Sequence, residues 1–223
     1  MIVKVGKRET NKPNQKNWGI EMKHALPDTQ WLYEHLLNRN QKTAVDQVMS
    51  AVNRDSQTEA MALLWTIDEE IGGVGGYCLP KNPVQNPFPG GYERPLFRPL
   101  QYAASELERD VAYGARYIVQ YAGMHLEAVT RQYLKQVQTL GMIRHQNSTL
   151  GKAVHQIDKL RTIDEKTVKS LLVFVRLYNM SKHEVNQDES RDRLFSTEDA
   201  LVAYLSARIL GAGLLAEIDL VPS

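Results

Sequence analysis

Residues 165–184, "EKTVKSLLVFVRLYNMSKHE", decide the fold. The segment is longer than an ordinary strand and shows no apolar/polar alternation, so its pattern is that of a helix. On a wheel of about 100° per residue, Asn179 lies about −60°, His183 about −20° and Lys169 about +20° from Arg176. Leu171, Val173, Phe174, Val175, Leu177, Tyr178 and Met180 fill most of the remaining circumference. A helix that is apolar nearly all round, with one narrow polar line, is expected at the centre of a bundle. Its polar line must face a cleft, a partner or water, because burying unpaired charge is costly.

The flanking segments have the same texture. Upstream, from Ser105 to about Leu140, there is no proline, and Leu107, Val111, Ile118, Val119, Leu126, Val129, Tyr133 and Val137 recur at helical intervals. This predicts one long helix, with a kink if either Gly114 or Gly123 bends it. "TLGKAVHQIDKL" predicts a shorter helix between the two. Downstream of the polar loop "VNQDESRDRLF", Ser196 or Thr197 followed by Glu198 and Asp199 marks a helix start. The last segment, "ALVAYLSARILGAGLLA", is the nearest approach to a membrane span, but Arg208 interrupts it near the middle.

In the N-terminal part, "PDTQWLYEHLLNRN" offers Asp28 or Thr29 as an N-cap, and "QKTAVDQVMSAVNRD" repeats the helical spacing through Val45, Val48, Met49 and Val52. "SQTEAMALLWTIDEEIGG" opens on Ser56 with Glu59 three residues on, a capping box, and stops at Gly72–Gly73. Residues 72–101 hold six Pro and six Gly, which forbids a continuous helix and marks a boundary. Apart from one short candidate strand at Ile2–Val5, no useful alternation appears. The expected fold is all-α, with an N-terminal helical segment over 1–101, including the Pro/Gly-rich connection, and a four-helix bundle over 102–223.

Bulk properties limit the function classes. The net charge of +1 argues against wholesale coating of nucleic acid while leaving room for a local basic patch. The single cysteine, Cys78, rules out an internal disulfide and fits a reducing cytoplasm. The first residues lack the apolar core of a signal peptide, so the expected location is cytoplasmic, with no membrane partner. "GGVGGY" at 72–77 is not a phosphate loop, since no GK[ST] follows it. "HLE" at 125–127 has the deaminase H-x-E spacing, but one cysteine cannot supply the remaining ligands. The six histidines are scattered and no HExxH occurs, so neither a metal nor another cofactor is expected.

The chemistry therefore rests on Arg176, Asn179, Lys182 and His183. Read structurally, they are the wet side of a core helix, with Lys182 and His183 at the C-terminal end, where the macrodipole favours cations. Read chemically, a histidine beside an arginine that binds phosphate bidentately forms an acid/base pair for phosphodiester cleavage, with Asn179 orienting either group. RNA suits such a site because its own 2′-hydroxyl is the nucleophile. Lys169 on the same line, and Arg208 in the last helix, are candidate phosphate ligands; for Arg208 the plainer reading is a stem packed in the core with its head in water.

An apolar penultimate helix ending in Arg-x4–6-His, then a polar loop and a last amphipathic helix, resembles the HEPN superfamily. The matching element is "RLYNMSKH", and the resemblance covers about residues 103–217. It implies a helical bundle that acts on RNA, often as a homodimer, and in many members as a metal-free endoribonuclease of bacterial toxin–antitoxin or defence systems. On that reading His183 is the general acid/base, Arg176 stabilises charge on the phosphorus centre, and Asn179 supports both. Lys182, Lys169 and Arg208 would bind substrate, and a protein antitoxin is an expected partner. Leu177 stands where active members commonly carry a polar residue. Other members bind without cutting, so the alternative is a non-catalytic helical module binding RNA, a nucleotide or a protein.

Overall fold

The computed structural model describes residues 22–72, 94–137, 148–183 and 194–219. Within them the chain forms eight α-helices and no strand: α1 (Pro27–His35), α2 (Arg39–Asn53), α3 (Gln57–Gly72), α4 (Arg94–Arg109), α5 (Val111–Val137), α6 (Leu150–Leu160), α7 (Glu165–His183) and α8 (Thr197–Asp219). The all-α expectation holds. The candidate strand at Ile2–Val5, Cys78 and most of the Pro/Gly-rich stretch lie outside the described residues.

Local chemistry sets most of the helix starts. Asn38 caps α2 through a reciprocal box, its side chain accepting from Gln41 N while Gln41 Oε1 accepts from Asn38 N. Ser196 and Asp199 do the same for α8. α1 starts differently from expectation: Leu26 is its N-cap and Pro27 its first residue. The fixed φ of proline suits the first helical position, where a missing N–H costs nothing. Thr29 is left free to point inward, and its hydroxyl donates to Asp199.

The predicted helix over 105–140 is two helices. α4 ends at Arg109, and Asp110 accepts a hydrogen bond from Tyr113 N at the start of α5. An aspartate in that position satisfies an orphan N–H, which makes a sharp break possible without Gly or Pro. The two helices then run back along each other. A Cβ on Gly114 would lie 3.1 Å from Glu106 Cβ, Tyr102 meets Tyr121 at 5.4 Å between ring centroids, and Leu96 reaches His125. α4 also starts at Arg94, so residues 94–101, including Pro99, are helical within the stretch taken for a connection, and Phe97 is buried.

The helix at the centre is α8, not α7. It packs most extensively on α5 and also meets α1, α2, α3 and α7. Every residue from Ala200 to Arg208 is buried. Its apolar 22-residue span, Thr197–Ile218, passes the length and composition test for a membrane helix, yet most of it is covered by the other helices, as a core helix of a soluble protein would be. α7 is amphipathic: Val168, Leu171, Phe174, Leu177 and Tyr178 face inward, while Lys169, Arg176, Asn179 and His183 are exposed. α1–α3 share one continuous apolar core with α4–α8.

Candidate functional site

The exposed line on α7 is where the sequence places the chemistry, and α1 lies along it. Arg176 donates from Nε to both carboxylate oxygens of Asp28, at 3.1 and 3.2 Å, and from an NH2 group to one of them at 2.6 Å. This is the two-pronged geometry by which a guanidinium grips a planar oxyanion. The hydrogen bonds to Asp28, and then its charge, push the Arg176 pKa further above its ordinary value. One turn along α1, Trp31 lies beneath Lys169, with the ammonium 5.3 Å from the ring centroid. Trp31 also stacks on His35 at 4.5 Å.

Asn179 and His183 continue the line beyond the reach of α1. Both are exposed, and neither has a hydrogen-bond or ion-pair partner among the described residues. The expected bond between Asn179 and the imidazole is therefore not made. Arg176, Asn179 and His183 share one face, as the wheel requires, but they follow one another along the surface and do not converge through mutual hydrogen bonds.

The three proposed substrate ligands diverge. Lys169 belongs to the line. Lys182, about 120° round the helix from Arg176, leans over its own neighbour Tyr178 at 3.8 Å and approaches Glu127 of α5 at 3.7 Å. Arg208 is a correction: it is neither a surface ligand nor an arginine reaching out to water. Its side chain is 3% exposed, and its Nε donates to Asp68 of α3 at 2.6 Å. The Asp68 carboxylate, itself 1% exposed, offsets the cost of holding a charge there.

Several groups that sequence reasoning passed over position α7. Gly123 of α5 lies under the Tyr178 ring, where a Cβ would overlap it. Burial there pushes the Tyr178 hydroxyl up to about 12. Arg116 and Gln120 of α5 both donate to the Ser181 carbonyl, at 2.9 and 3.0 Å, satisfying an orphan acceptor in the last turn of α7. Asp199 holds α1 to α8 by accepting from Leu26 N, Thr29 Oγ1, Ser196 N and Ser196 Oγ. Burial pushes its carboxyl above the usual range, and those bonds pull the other way. The glycine at 123 and the S-x-x-D box at 196–199 were readable signals; the long-range partners were not.

Architecture and line together define an all-α helical protein with a polar, partly ion-paired strip on its penultimate helix. No protein-family model, curated protein or solved structure matches this chain.

Proposed function

We propose that this chain is a HEPN-like, cytoplasmic protein that acts on RNA through the line Lys169–Arg176–Asn179–His183. The observation that supports the reading is the exposure of Asn179 and His183, without partners among the described residues, next to two cations on a helix whose other face is buried. Cations and amides in a row along a helix fit the repeating phosphates of a nucleic-acid strand. The net charge of +1 fits a local contact better than a broad one.

The geometry favours binding over cutting. Arg176 is committed to Asp28, and a guanidinium held by a carboxylate must exchange that partner before it can take a phosphate. Asp28 thus acts as an internal mimic of the phosphate and lowers affinity. The endoribonuclease reading draws on His183 alone, an exposed imidazole at the end of the same line. Pairing of two copies about a two-fold axis would place two such lines face to face, and sedimentation equilibrium tests that arrangement.

The experiment measures fluorescence anisotropy of a labelled single-stranded RNA, together with its integrity in EDTA. Salt-sensitive binding that weakens in Arg176→Ala supports the module. Cleavage in EDTA that disappears in His183→Ala supports the nuclease. Absence of both effects in folded protein removes the line's role in RNA chemistry.

A further inference from the structure

A second candidate site lies on different elements from the α7 line. A cleft of about 620 Å³ opens between the residues before α1, the C-terminal half of α2, the first turn of α5 and the start of α8. Its polar lining includes His24, Asn53 and Glu198, and its apolar lining includes Met49, Ala112 and Phe195. That volume falls in the range of small-molecule sites, which combine an apolar wall with a few directed polar groups.

Glu198 singles this cleft out. It is 8% exposed, yet it has no hydrogen bond or ion pair within the described residues. Its neighbour Asp199 is engaged with α1 and Ser196, so the two adjacent acids divide their roles: one ties the helix start together, the other faces the cleft. Glu198 is the second residue of α8, where the helix dipole offsets part of the cost of a shielded carboxylate. A cation in the cleft would offset the rest, and a guanidinium could take both oxygens at once.

A separate recess of about 170 Å³, flanked by Tyr113 and Tyr117, shares Ala112 and Phe195 with the cleft. Both side chains are substantially exposed, and a tyrosine ring face attracts an organic cation. Arg116 also borders that recess, so a positive group is favoured on the Glu198 side.

We infer that this cleft binds a small organic cation, a guanidinium or primary ammonium on a short aliphatic body, with Glu198 as its anionic anchor and Asn53 as a second acceptor. Calorimetric titration of the full chain with butylguanidinium tests it, with 1-butanol as the neutral control. Saturable butylguanidinium binding is expected, weakened by about tenfold or more in Glu198→Gln. Asn53→Lys, which supplies an internal ammonium, is expected to block butylguanidinium and raise the melting temperature. Folded wild type that does not bind butylguanidinium, Glu198→Gln that binds it as well as wild type, or 1-butanol that binds equally well would overturn the proposal. The cleft shares no residue with the α7 line, so the outcome is independent of the RNA reading.

Discussion

Two arginine–aspartate pairs tie the N-terminal helices to the C-terminal ones, and both close at 2.6 Å. Arg208–Asp68 joins α8 to α3 with side-chain exposures of 3% and 1%; Arg176–Asp28 joins α7 to α1 with exposures of 58% and 21%. The closest approach is the same in the two pairs, although Arg176 makes three hydrogen bonds to Asp28 and Arg208 meets Asp68 through Nε, and burial is the difference that decides their energetics. In the core, removing either partner takes away a charge that balances the other out of water. On the surface, water screens both and replaces either. The inner pair therefore holds the fold, and the outer one is free to be a switchable contact.

The largest expected effect breaks the inner pair. Asp68→Ala should lower unfolding free energy by about 3–5 kcal/mol in chemical denaturation, since it removes a buried carboxylate that holds the Arg208 guanidinium in the core. The double replacement Asp68→Leu with Arg208→Met should recover most of that loss, because it removes both buried charges together. A double variant as unstable as the single one would show that the pair itself carries the stability.

Acid tests the same interior. His125 is fully buried; its Nδ1–H donates to the Leu96 carbonyl at 2.6 Å, and its Nε2 lies against Gly211. Burial first, and the nearby Arg208 charge second, lower its pKa from 6.5 to about 4, with the Leu96 bond opposing them. A depressed pKa means the folded state holds the neutral ring. The associated stability is complete above pH 6.5 and is lost as pH falls through about 4. The loss should be on the order of 3 kcal/mol by pH 4. His125→Gln, which cannot take up the proton, should flatten that part of the pH–stability curve.

Gly123→Ala should cost about 1–3 kcal/mol, because the new methyl displaces the Tyr178 ring and with it the seat of α7. The smallest stability effect belongs to the outer pair: Arg176→Ala should stay within about 1 kcal/mol of wild type. Its effect should appear in RNA binding instead, and Asp28→Asn should tighten that binding by releasing Arg176. Equal losses of stability from Arg176→Ala and Asp68→Ala would erase the distinction between the two pairs.

The helices were legible because their causes are local. Apolar spacing gives α2, α3, α6, α7 and α8, and Ser196 or Thr197 followed by Glu198 and Asp199 marks the start of α8. The break between α4 and α5 carries neither Gly nor Pro, so the apolar spacing runs through it, and Asp110 ends one helix by capping the next. Of the candidate site, the alignment of Lys169, Arg176, Asn179 and His183 followed from helical geometry alone. The order of centrality was misjudged: α7 reads as more apolar than its packing, since Leu172, Val175 and Met180 are only partly covered.

By itself the sequence determined that the chain is helical, where most of its helices begin, and which polar groups share a face. Those properties depend on residues within a few positions of one another. Only the tertiary structure decided which arginine turned inward. Arg176 and Arg208 each interrupt an apolar helix in much the same local pattern, and their aspartates lie 148 and 140 residues away. Burial and pairing over such separations are set by how the helices stack, and no local spacing encodes that.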